Sequence, residues 1–206
     1  MRETINRFYL SIGQSLTFRS RFVLGILIVP LALVFTEPLW TIAMDAPQYP
    51  DGLTLNIYAH TVDGDVSEVN TLNHYIGMHS IDRASLSDLD WIPFAIGALI
   101  LFTLRVAGIG DVRSLIDLFV VFAYFSAFSI ARFVYRLYVF GHDLDPHAPF
   151  DVDSFTPAIL GTKTVANFTI TSWPAAGTAW ITVFAVGLIF VLGSNLRTSW
   201  RSTAAE

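Results

Sequence analysis

The sequence predicts an all-α membrane protein of four transmembrane helices with two extracytoplasmic loops, the first with room for a small β-hairpin. Three observations lead there. Of the 206 residues, 53% are hydrophobic and only 14% charged, with a mean hydropathy of +0.56, whereas soluble domains carry about a quarter charged residues. Four segments approach the roughly 20 apolar residues that cross about 30 Å of hydrocarbon. The basic residues collect on one side of those segments, as Lys and Arg do on the cytoplasmic face of a bilayer. Four spans and two modest loops use up the chain, so residues 1–206 read as one integral membrane domain.

The spans are placed at about 22–44, 91–108, 115–140 and 174–194. The first contains Pro30 and reaches Glu37 and Pro38, which predicts a kinked helix whose last turn emerges among headgroups. Its Arg-flanked start is like that of a signal peptide, but no small-x-small cleavage site follows, so the segment reads as retained. Ahead of it, Ile5, Phe8, Ile12 and Leu16 recur near helical spacing among Arg2, Arg7 and Arg19. A short helix in the inner headgroup layer and a partly ordered tail both account for that pattern.

Arg2, Arg7, Arg19 and Arg21 precede span one, Arg105 and Arg113 separate spans two and three, and Arg197 and Arg201 follow span four. The loops at about 45–90 and 141–173 hold only Arg83 and Lys163 against twelve carboxylates. Both termini are therefore expected in the cytoplasm and both long loops outside. Trp40, Trp91 and Trp173 fall at outer span ends and Trp200 beyond an inner one, the depth that amphipathic indoles prefer; Trp180 is the exception.

Span three carries Ala123, Ala127 and Ala131 at steps of four, a small-residue stripe that lets a partner helix or lipid approach closely. Ser114 to Asp117 has the form of a capping box at its start. Arg132 and Arg136 share one face of its outer half, where a charge must pair or snorkel. They are candidates for contact with an anionic lipid or a partner carboxylate; pairing with outer-loop acids or with Glu37 is the preferred account.

In the first loop Leu53, Leu55, Ile57 and Ala59 alternate with more polar positions, and Asp63-Gly64-Asp65 marks a turn. The stretch Asn70 to His79 is dense in donors and acceptors. In the second loop the Pro- and Gly-bearing run Gly141 to Pro149, then Asn167-Phe168 and Ser172-Trp173-Pro174, predicts stiff, irregular structure.

All five histidines lie in these loops. Imidazole and thioether together suit copper, and His74 and Met78 at i, i+4 would converge on one helical face, with His142 and His147 joining if the loops fold together. His79 could join them, with carboxylates orienting the rings. Hydrogen bonding of the imidazoles to loop backbone and partners is the plainer account, so no cofactor is expected, with copper as the alternative.

Other chemistry lacks a starting point. There is no P-loop, dinucleotide fingerprint or GxSxG elbow, and hence no expected nucleotide use or enzyme activity. No histidine inside a span offers an axial haem ligand, four spans without a repeat do not suit an ordinary secondary transporter, and without cysteine there is neither disulfide nor thiolate metal site. Asp117 is the one carboxylate well inside spans two to four and does not make a proton path. No feature points to nucleic acid.

The runs Ala46 to Leu53, Leu72 to Met78, Gly141 to Pro149 and Leu160 to Lys163 with Asn167-Phe168 resemble a poorly characterised family of small bacterial multi-span membrane proteins. Its members are often encoded near nitrous oxide reductase maturation and copper-handling genes. The resemblance spans residues 37 to 175 and implies a bacterial inner membrane, cytoplasmic or intracytoplasmic, and an extracytoplasmic face tied to a redox system. If the copper context carries over, His74, Met78, His142 and His147 occupy its motif positions, while His60 and His79 fall outside them.

The expected function is a non-catalytic subunit or assembly factor that packs against and stabilises a larger energy-transducing membrane complex, respiratory or a photosynthetic reaction centre with its antenna. The alternative is a copper-handling accessory protein for maturation of a periplasmic copper enzyme such as nitrous oxide reductase. Expected partners are that complex, lipids and, on the outer face, a periplasmic copper protein or cytochrome.

Overall fold

The structure, a computed structural model, describes residues 12–82, 84–165 and 168–204. Helices α1 (Phe18–Ile26), α2 (Ile28–Leu33), α3 (Val66–Tyr75), α4 (Asp88–Ile109), α5 (Val112–His142) and α6 (Ala176–Ala204) are joined by strands β1 (Trp40–Ala46), β2 (Tyr49–Ile57), β3 (Val62–Gly64), β4 (Gly161–Val165) and β5 (Phe168–Pro174). The fold is mixed α/β, which corrects the all-α expectation. Among the described residues three helices, not four, are long and apolar enough to cross a membrane: α4, α5 and α6 over Ala176–Ser199.

The expected first span fails for a local reason. Thr17 caps α1 by accepting the Ser20 N–H at 3.2 Å. The helix ends at Leu27 because Pro30 has no N–H for the Ile26 carbonyl and its ring crowds that oxygen. After the six residues of α2, Pro38 biases Glu37 toward extended backbone, and the chain enters β1. An apolar run does not by itself distinguish helix from strand. Ile5 and Phe8 of the expected N-terminal helix lie outside the described residues; Ile12 is helical, while Leu16 is not and is buried in a core.

The chain forms two units. The first comprises Met1–Leu33, Ala95–Ser126 and Trp180–Glu206. Its core packs Leu24, Leu27, Val106, Leu118 and Leu188 around Phe122 and Phe184, whose rings meet edge-on with centroids 5.1 Å apart. A Cβ on Gly187 would displace the Leu27 side chain, which packs over the glycine just past the end of α1. The Asn195 amide donates to Ser20 Oγ and to the Val191 carbonyl at 2.7 Å each, a polar tie of the kind that holds helices together in lipid. Arg21 donates to the Gly108 and Gly110 carbonyls at 3.0 and 3.3 Å, satisfying oxygens left open where α4 ends. The cap of α5 is Asp111, whose Oδ1 accepts the Ser114 N–H at 2.8 Å, so the box expected at Ser114 to Asp117 starts three residues too late.

The second unit comprises Val34–Phe94 and Ala127–Ala179. Its five antiparallel strands are ordered β3-β2-β1-β5-β4. Leu53 and Leu55 face Val69 of α3, with Ile42, Met44 and Leu72 around them, so the expected alternation does place one face of β2 in a core. On the other face Thr41 Oγ1 donates to Asn56 Oδ1 at 2.9 Å. Gly64, at φ +106°, passes so close to the Thr54 carbonyl that a side chain would not fit, and Asp65 accepts the Thr54 N–H at 2.7 Å. The hairpin expected in the first loop is thus part of a larger sheet. The second loop, expected to be irregular, supplies β4 and β5: its Thr-rich runs suit a half-buried pleat.

Ser172, fully buried on β5, accepts the Trp40 indole N–H at 2.7 Å and donates to the Ile159 carbonyl at 3.2 Å. Ser172→Ala leaves both partners without the hydroxyl and should cost about 1–3 kcal/mol. Thr162→Ala on the exposed edge should stay within about 0.5 kcal/mol. Chemical unfolding in mild detergent compares the two, and equal losses would remove Ser172 from this role.

Candidate functional site

The polar stretch after the first hairpin is held by two asparagines one turn apart on α3. Asn70 accepts the Ile81 N–H at 2.7 Å and donates to the Ile81 carbonyl at 3.2 Å. Asn73, buried, donates to the His79 carbonyl at 3.2 Å, while its own carbonyl accepts the Met78 N–H at 2.8 Å. Residues 76–81 are therefore fixed without regular structure. The side-chain amides do the work that a strand partner would do.

This stretch meets residues 141–150. The Gly77 carbonyl accepts the Asp145 N–H at 2.8 Å and the Tyr75 carbonyl accepts the Phe150 N–H at 3.0 Å. Gly77 sits at φ +76°, and a Cβ there would lie 2.8 Å from the Asp145 carbonyl oxygen, so both the turn and the close approach require glycine. His79 Nε2 lies 2.8 Å from Asp143 Oδ2, joining residues 64 apart in sequence. The two histidine-bearing segments, which sequence alone does not join, form one surface.

The four expected metal ligands take separate roles on it. His142 stacks on Tyr138 with centroids 3.8 Å apart and donates from Nδ1 to the Tyr138 carbonyl at 2.9 Å. His147 is 91% exposed, with Nδ1 3.3 Å from Asp145 Oδ1. His74 is exposed, and Met78 is half-buried. Among the described residues no group of three or more histidines or carboxylates is gathered so as to hold a metal ion. Asn167, part of the resemblance motif, lies outside the described residues.

Two carboxylates here are held below their ordinary value of 3.8. Asp145 is lowered chiefly by the His147 backbone N–H, 2.8 Å from Oδ1. Asp82 is lowered by the Ser85 backbone N–H at 2.7 Å. Each stabilises a tight turn while ionised.

Arg132 and Arg136 converge on Asp88. Arg132 donates through Nε and Nη2 to the two carboxylate oxygens, at 3.0 Å each, and Arg136 Nε donates to Oδ2 at 2.8 Å. Arg136 Nη2 also reaches Ser87 Oγ at 2.8 Å, and the Trp91 indole donates to Asp88 at 3.2 Å. The Asp88 side chain is 17% exposed and the arginines 32% and 27%. The guanidiniums thus meet an acid at the end of the first loop rather than Glu37. In the sequence, Asn70 and Asn73 stand out only as part of the polar run 70–79 and Asp88 only as one of the loop acids; the i, i+3 spacing of the asparagines and the acid-Trp step at Asp88 to Trp91 hint at their individual roles.

Ala123, Ala127 and Ala131 are all exposed. Among the described residues, none of the three is packed into a core.

Asp88→Asn should destabilise by about 1–2 kcal/mol, between an exposed and a fully buried pair, because two guanidiniums lose their common counter-charge. Unfolding in mild detergent measures it, and a loss below about 1 kcal/mol would class the cluster with ordinary surface pairs. For Asp145 the folded value is depressed, so its contribution is present above 3.8 and lost as pH falls through the lower folded value. The Asp145 side-chain carboxyl signal should therefore titrate with a midpoint below 3.8. A midpoint at or above 3.8 would remove the His147 N–H from this role.

Compared with protein-family models, with curated proteins and with solved structures, this chain has no match.

Proposed function

We propose that this chain is a non-catalytic integral membrane subunit or assembly factor that packs against and stabilises a larger energy-transducing redox complex, respiratory or a photosynthetic reaction centre with its antenna. The exposed stripe Ala123, Ala127 and Ala131 carries this reading, because small residues at steps of four permit close approach of a helix from another chain. The surroundings support it. Only 17–22% of the most apolar window of α4, α5 and α6 is buried within the chain, and Leu101, Tyr124, Phe128, Val186 and Phe190 project outward. Such a surface requires lipid or partner helices.

The same proposal orients the chain in a bacterial inner membrane by charge. The first unit contains eight of the twelve basic residues and four of the seventeen carboxylates, a net of +4; the second contains four and thirteen, a net of −9. The arginine-bearing chain ends and the α4–α5 turn belong on the cytoplasmic side, and residues 45–90 and 141–173 in the periplasm. The link to redox chemistry rests on the family resemblance of the runs at 46–53, 72–78 and 141–149.

One observation favours a second reading, a copper-handling accessory protein serving a periplasmic copper enzyme. The backbone contacts of Gly77 with Asp145 and of Tyr75 with Phe150 draw the segments bearing His74, Met78, His142 and His147 onto one surface.

Purification in mild detergent discriminates. Co-purification with a large membrane complex, reduced several-fold by Ala127→Leu with thermal unfolding unchanged, is the expected result. A lone monodisperse protein would count against the first reading. Stoichiometric copper that disappears in a His74→Ala, His142→Ala double variant would establish the second.

A further inference from the structure

From the junction of residues 70–82 with residues 141–153 we infer a docking surface for a basic, water-borne protein. Two aromatic rings stand out on it. Tyr75 is 45% exposed and Phe150 62%, with centroids 6.1 Å apart. Their backbones are locked to each other by the Phe150 N–H to Tyr75 carbonyl bond, and the neighbouring turn is pinned by Gly77 and Asn73. Exposed aromatic anchors on a pre-ordered backbone lose little entropy on binding, which is how interface hot spots are built.

Lipid does not account for the exposure. The Asp88 cluster marks a charged level on α5 at Arg132, and the helix continues ten residues to His142, about 15 Å further at 1.5 Å per residue. The aromatic pair lies next to the segment beyond that end, beside Asp143 and Asp145, which are 73% and 64% exposed. Carboxylates so exposed belong in water, and so does the patch between them.

Charge selects the partner. Residues 70–82 and 141–153 together contain five carboxylates, Asp82, Asp143, Asp145, Asp151 and Asp153, and no Lys or Arg. The other titratable groups there are Tyr75, His74, His79, His142 and His147, of which His79 and His147 already sit against Asp143 and Asp145. A partner presenting Lys or Arg gains ion pairs at the rim and can stack guanidinium on Tyr75 or Phe150. A second copy would bring the same acids face to face. This surface is separate from the alanine stripe of α5 and does not depend on what covers the helices.

The test places photoreactive benzoylphenylalanine at position 150 of the full-length protein in native host membranes. The expected result is an adduct to one protein whose crosslinked peptide is net positive. Its yield should fall several-fold between about 50 and 300 mM salt, as for partly screened charges. It should fall as far in an Asp143→Asn, Asp145→Asn variant that melts at the parent temperature. If that variant melts early, the probe at position 75 with Asp151→Asn, Asp153→Asn serves instead. Adducts to phospholipid, to a second copy, or to a neutral or acidic peptide would overturn the proposal, as would an adduct indifferent to salt, or none. Co-purification of the complex through the helices would persist in those cases, so the two proposals fail separately.

Discussion

The antiparallel pairing of β1 with β5 is the constraint on which the second unit rests. Register runs from Trp40 opposite Pro174 to Asp45 opposite Thr169, so residues about 130 positions apart share one ladder. With β2 on its other side, β1 has no free edge. The same pairing delivers the chain to the start of α6: the Leu39 carbonyl accepts the Ala175 N–H at 3.0 Å, and Gly177 passes against the Glu37 and Pro38 carbonyls with no room for a side chain. The Ser172 hydroxyl, tied to Trp40 and Ile159, secures the centre. Each backbone bond contributes only about 0.5–1.5 kcal/mol net, but the ladder makes them conditional on one another.

Charge is handled in two ways within that unit. Near the end of the apolar helices, the Asp88 carboxylate is wrapped by Arg132, Arg136 and Trp91, so that a costly set of groups is mutually satisfied. Asp143 and Asp145 are instead exposed, with His79 and His147 against them. The first arrangement restrains helices. The second leaves charge available to the surroundings.

Much of the helical framework is legible in the chain. Spans expected at 91–108, 115–140 and 174–194 correspond to α4, α5 and α6, because uninterrupted apolar runs of about 20 residues have few alternatives. The run at 22–44 is equally greasy but contains Pro30 and Pro38, and its second half alternates Trp40, Ile42 and Met44; hydropathy averages over both signals. The strands at 161–165 and 168–174 are polar by content, and their Thr and Ser residues read as loop, although the Thr-rich alternation is itself a strand signal. The histidine segments are readable as polar and turn-rich. Their mutual contact is not, since the Gly77 to Asp145 bond spans 68 residues and no local pattern encodes it.

The long separation of β1 from β5 also sets an order of events during synthesis. At about 5–20 residues per second, some 6 to 25 s pass between the ribosome completing residue 46 and completing residue 174. Once residue 57 is made β1 can pair with β2, but its other side presents unpaired N–H and carbonyl groups, a template for any extended chain nearby. Two apolar helices must meanwhile be made and housed. The nascent protein therefore presents one open side of β1 to wrong strand partners while its middle third is being made.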